Sequence, residues 1–120
     1  VSFMVFSGTY SHAVLKNAAP GDFRVQDDFG GTVHAYQAST EEIAFVEHVI
    51  AQCAEMPVYA RVDVMRDNQQ QLCLSELELI EPELWLRKSN GAAQALADAI
   101  CSYIPKKRQS TKFLAIESCH

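Results

Sequence analysis

The sequence has no apolar run near the roughly 18–20 residues that a membrane-spanning helix needs. It has no internal repeat, no low-complexity stretch, only five glycines and four prolines, and one tryptophan in 120 residues. This composition, with only four cysteines, excludes a collagen-like fibre, a disulfide-dense miniprotein and a disordered tail. Basic charge is also scarce, with 10 Lys and Arg against 15 Asp and Glu, a formal charge of −5. A nucleic-acid partner is not expected, because phosphate neutralisation supplies most of such affinity. The one basic cluster, Lys106–Lys107–Arg108, reads as a solvated helix end. The four cysteines form no CxxC pair and the four histidines no HExxH, so a zinc site is not expected. Cys53, Cys73 and Cys101 fall at apolar positions of expected elements, which suits free thiols packed as small hydrophobes in a reducing, cytoplasmic setting. The opening segment carries neither a basic lead nor an initiator Met, and reads as a strand cut from a longer chain rather than a signal peptide.

What is present is 48% hydrophobic and 21% charged, the make-up of one domain with a modest core. SFMVFS, the turn chemistry of Ser7–Gly8–Thr9 and the alternating YSHAVLK predict a hairpin. NAAPGDFRVQDDFGGTVH then reads as a long loop, and loops beyond about 12 residues within a domain are usually functional or mobile. Strand character resumes at residues 32–37. Ser39 with Glu42 three residues on is a capping-box signature, followed by Ile43, Val46, Ile50 and Cys53 on one helical face to about Ala54. Pro57 stops that pattern. A second helix is expected from Gly91, with Ala93, Leu96, Ile100 and Ile104 on its apolar face. Trp85 reads as a packing anchor.

The segment between residues 57 and 82 is the most informative. Val58, Ala60, Val62 and Val64 alternate with Tyr59, Arg61, Asp63 and Met65, so one strand face is aliphatic and the other charged. After a turn at RDNQQ, Glu76 and Glu78 share a face about 6–7 Å apart. An even-numbered loop places Arg61 opposite Glu76 with Asp63 on their face, whereas an odd one sends them to opposite faces. The resulting acidic surface has two readings. One is the polar outer face of an antiparallel sheet. The other is a cation site, since clustered carboxylates repel unless a proton, an Arg or a metal neutralises them, and oxygen-rich sites suit magnesium with phosphates.

FSGTYSHAVLKNAAPGDFRVQDDFGG followed by ARVDVMRDNQQQLCLSELELIEP resembles the C-terminal half of the ATP-grasp domain. The group it looks most like comprises enzymes similar to prokaryotic glutathione synthetase and the ribosomal-protein glutamate ligases. The resemblance covers residues 1–104 and leaves 105–120 as a tail. It implies an α+β fold, a largely antiparallel sheet of about five strands with two main helices packed on one face. It also implies an ADP-forming carboxylate–amine ligase that uses ATP and Mg2+. Asp63, Glu76 and Glu78 would hold magnesium, with Glu78 at the family's usual Asn position. Arg24, ahead of Gly30–Gly31, would clamp the transferred phosphoryl group, with Arg61 assisting and the glycine pair letting backbone approach the nucleotide. Ser7–Gly8–Thr9 replaces the Asp-Gly-Glu common in relatives, which removes one nucleotide-side contact. Nothing in the chain corresponds to the N-terminal ATP-grasp lobe or to the substrate domain. Those parts, together with small-molecule or peptide carboxylate and amine substrates, are the implied partners. A homodimer that buries the exposed sheet edge is a further expectation. The rival functions are a nucleotide- or metal-binding module without ligation, and a purely structural interaction domain.

Overall fold

The computed structural model describes residues 1–17, 31–80 and 82–104. Strand β1 (Ser2–Phe6) is followed by β2 (Thr9–Asn17), β3 (Thr32–Tyr36), helix α1 (Thr40–Ala51), β4 (Tyr59–Arg66) and β5 (Leu72–Glu78). A short 3-10 helix at Leu86–Lys88 leads into helix α2 over residues 92–104. The five strands form one antiparallel sheet in the order β3-β2-β1-β4-β5.

The β1–β2 hairpin turns through Ser7 at φ 50° and Gly8 at φ 83°, the two positive values that a tight primed turn requires. A Cβ on Gly8 would also lie 2.8 Å from Met56 Sδ, the tip of a half-exposed side chain that would have to shift. Helix α1 starts as the sequence predicts. Ser39 Oγ accepts from the Glu42 amide at 3.2 Å, and Glu42 Oε1 accepts from the Ser39 amide at 2.8 Å. The Tyr36 hydroxyl also donates to Glu42, at 3.0 Å. Burial pushes the Glu42 carboxyl up, but the Ser39 amide and the Tyr36 and Ser39 hydrogen bonds outweigh it and hold its pKa below the usual value. That contribution is present above the ordinary Glu range and fades as the pH falls through the folded-state value. Ser39→Ala is expected to cost about 1 kcal/mol by loss of the cap, read as a lower urea midpoint at pH 7. The helix ends at Ala51, short of the Ala54 limit, and Glu47 is not a free surface residue: its carboxylate accepts from the Tyr10 amide at 2.9 Å.

The class is α+β as expected, but the two helices do not share a face. Phe3, Val5, Ala13, Ala60 and Val62 pack with Val46 and Ile50 of α1, whereas Met4, Phe6 and Val14 pack with Trp85 and Ala99 of α2. The reason lies in β1. All five of its residues are buried, so the central strand needs cover on both sides. Helix α2 also presents a different stripe from the expected one. Ala92 and Ala99 are buried and Leu96 half-buried, while Ala93, Ile100 and Ile104 are exposed. Cys53, Cys73 and Cys101 are free, yet Cys101 is exposed rather than packed.

Candidate functional site: a carboxylate cluster around Arg61

Strands β4 and β5 carry the expected charged residues, by an unexpected register. The loop between Arg66 and Leu72 is odd-numbered, residues 67–71. Its form is fixed locally: Asp67 Oδ1 accepts from the amides of Gln69 and Gln71 at 2.8 and 2.9 Å, and Gln70 sits at φ 64°. With that loop alone, Glu76 and Glu78 would face away from Arg61. The register then shifts between Asp63 and Val64, which oppose Glu76 and Leu74, so Ser75 is an extra residue on β5. This bulge restores the parity. Arg61 therefore lies opposite Glu78, not Glu76, and Asp63 opposite Glu76. All four side chains share the face covered by Trp85 and α2.

One nitrogen binds the cluster together. Arg61 Nη2 is 2.8 Å from Glu78 Oε1, 3.1 Å from Asp63 Oδ2 and 3.8 Å from Glu76 Oε2. Arg61 Nε adds a second bond to Asp63 Oδ1 at 3.1 Å, which makes that pair bidentate. Lys16, on β2, brings Nζ to 3.7 Å from Asp63 Oδ2. The Arg61 and Asp63 side chains are only 10% and 13% exposed, which removes the reading of a merely solvated outer face. Glu76, at 56% exposure, is the open end of the cluster. A hydrogen bond to Glu78, helped by desolvation and the charges of Glu78 and Asp63, raises the Glu76 pKa against the pull of Arg61.

Sequence reasoning overlooked two of the site's members. Trp85, given no chemical role, is 6% exposed and lies under both cations. Arg61 Cζ is 5.4 Å and Lys16 Nζ 5.5 Å from its ring centroid. Both fall within cation–π range. The segment that carries it is anchored by His12, whose Nε2 donates to the Leu84 carbonyl at 2.8 Å and whose Nδ1 accepts from Ser11 Oγ at 2.9 Å. Lys16 was hidden because its role depends on β2 lying two strands from β4. The alternation of YSHAVLK was the available signal. Of the loop residues, Arg24 and Gly30 lie outside the described residues. Gly31 precedes β3, whose Thr32 pairs with Asn17, the neighbour of Lys16 on β2.

Among the described residues no three His, Cys, Asp or Glu side chains are set to hold a metal ion as they stand. The physical reason is the guanidinium: Arg61 Nη2 occupies the point on which the three carboxylates close. The donor set nevertheless has the chemistry of a hard-dication site, being all oxygen and in excess over its two cations, Arg61 and Lys16. Glu78 makes the shortest contact with Arg61, a tether that an amide at this position could give only without charge.

No protein-family description and no curated protein matches the sequence. Among solved structures, D-cycloserine synthetase DcsG is similar over 86% of this chain, with a TM-score of 0.72 and 27% identity. The chain spans 37% of the length of that synthetase. Among the described residues no helix is long and apolar enough to cross a membrane. The five-stranded sheet with its acidic β4–β5 face thus has an ATP-grasp-like fold, shared with about a third of a ligase chain.

Proposed function

We propose that this chain is the C-terminal lobe of an ATP- and magnesium-dependent carboxylate–amine ligase, in which ATP phosphorylates a carboxylate and an amine then displaces the phosphate to form an amide. The observation that supports it best is the closure of Asp63, Glu76 and Glu78 on the single Nη2 of Arg61, within an ATP-grasp-like fold. Magnesium held by those carboxylates would supply charge neutralisation on the transferring phosphates. On this reading Arg61 is the member that would change partners. Its guanidinium is shared among three acceptors and a ring face, so a phosphate dianion can compete for it bidentately. As it turns to the phosphate, the carboxylates are freed for the cation. Arg24 and the Gly30–Gly31 pair would close over the transferred group. Glutathione-like thiols, peptides and small amino acids are the acceptor classes to examine, and the N-terminal lobe and substrate domain would complete the site.

A nucleotide- or metal-binding module without ligation is the second reading, favoured by Ser7, which stands at φ 50° in the β1–β2 turn where relatives carry an Asp. The experiment is ADP release by the full-length protein with ATP and magnesium across amino acids and short peptides. Release is expected to require one acceptor and to fall about 100-fold or more in Asp63→Asn, the scale seen when charge stabilisation of a transition state is removed. Unchanged release in that variant would falsify the assignment. Binding of magnesium–ATP without release favours the module.

A further inference from the structure

Ser2 Oγ is fully buried and has no hydrogen-bond partner among the described residues. It is the one such side-chain atom found there, and it lies beside the carboxylate cluster. Val1 and Val64 exchange both backbone bonds, Val64 N to Val1 O at 2.9 Å and Val1 N to Val64 O at 3.3 Å. The next pair along, Ser2 and Asp63, is therefore a non-hydrogen-bonded antiparallel pair. In such pairs the Cα atoms approach to about 4.5 Å and the side chains are at their closest. On its other side Ser2 faces Val14, which offers no acceptor from its side chain. In the resting structure the Ser2 hydroxyl makes no bond to its cross-strand neighbour Asp63, so donation to that carboxylate requires the two side chains to reorient. That carboxylate is at present taken by Arg61 Nε, Arg61 Nη2 and Lys16 Nζ.

We propose that Ser2 is a positioning residue for Asp63: its buried hydroxyl donates to the carboxylate when Arg61 and Lys16 turn away to an anion, and so holds one lone pair of Asp63 toward a magnesium ion. The inference rests on the ligase reading above. Its logic is that of outer-shell partners generally, which fix a ligating carboxylate and are worth about 10–100-fold in metal affinity. A buried hydroxyl without a partner is a cost to the resting fold. A state in which the bond to Asp63 is made would remove that cost.

The test is thermal unfolding of the full-length protein, titrated with magnesium chloride in the presence of a non-hydrolysable ATP analogue. Without magnesium, Ser2→Ala is expected to melt at or above the wild-type temperature, because it removes a hydroxyl that the resting fold does not use. With nucleotide present, its half-saturating magnesium concentration is expected to rise about 10-fold. Ser2→Thr, which keeps the hydroxyl, is expected to restore the wild-type dependence. A lower metal-free melting temperature in Ser2→Ala, or its failure to fold, overturns the proposal by showing a structural partner. An unshifted magnesium dependence in Ser2→Ala, with the wild type still stabilised, overturns the Ser2 role and leaves the ligase reading standing. Absence of any magnesium-dependent stabilisation in the wild type overturns both.

Discussion

Arg61→Met is expected to lower the unfolding free energy by about 3 kcal/mol at pH 7, the lower end of the cost of breaking a buried ion pair, because Lys16 Nζ remains 3.7 Å from the Asp63 carboxylate. Methionine keeps most of the side-chain volume, so the loss is chiefly electrostatic. Asp63 carries most of it, because it is 13% exposed and loses two hydrogen bonds at once. Glu76 contributes little, since at 56% exposure water screens its pair. Urea denaturation followed by circular dichroism measures the effect. The sign with pH is fixed by the same physics. Protonation removes the uncompensated charge, so the penalty shrinks as the pH is lowered and is largest above neutrality. Magnesium is expected to stabilise this variant more than the wild type, since the ion no longer competes with the guanidinium. A loss under about 1 kcal/mol at pH 7 would place the cluster with ordinary surface ion pairs.

Trp85→Ala is the second large effect, an expected loss of about 3–5 kcal/mol from truncation of a buried aromatic. Against a typical domain stability of about 5–15 kcal/mol, that brings the fold near its limit. The ring joins Met4, Phe6 and Val14 of the sheet to Ala99 of α2, so its removal loosens α2 as well as the site. It also takes away the surface on which Lys16 and Arg61 rest. Trp85→Phe is expected to recover most of the packing and part of the cation–π contribution. Circular dichroism is the suitable probe, because Trp85 is the chain's one tryptophan and the variant has no indole signal. In the wild type the same uniqueness makes fluorescence a reporter: displacement of both cations by bound nucleotide is expected to change the emission of Trp85. A Trp85→Ala loss below 1 kcal/mol would mean that α2 holds its place without the ring.

The local signals in this sequence were strong, and they held. Ser39 and Glu42 announced the start of α1, and the cap forms in both directions. Ser7–Gly8 announced a tight hairpin, and the strands on either side of it pair. The alternation in β4 put Arg61 and Asp63 on one face and Val62 and Val64 on the other, where the structure has them. Each of these depends on neighbours within a few residues, so the sequence states it directly. SFMVF carried one more message, a strand buried on both faces, which is the clue that α1 and α2 lie on opposite sides of the sheet.

From the sequence alone followed the element types, the antiparallel α+β class and the candidate acids Asp63, Glu76 and Glu78. Periodicity and capping are short-range, and a run of residues suffices to state them. Only the tertiary structure decided how those acids meet. The odd loop and the bulge at Ser75 are each one-residue events, and each reverses which side chains face Arg61. Their cancellation cannot be read from composition or spacing. Likewise Lys16 and Trp85 reach the cluster from β2 and from the segment before α2, and Ser2 from the first strand. Those contacts exist because sheet order places β1 between β2 and β4 and packs Trp85 across them, a long-range arrangement set by burial rather than by any local pattern of residues.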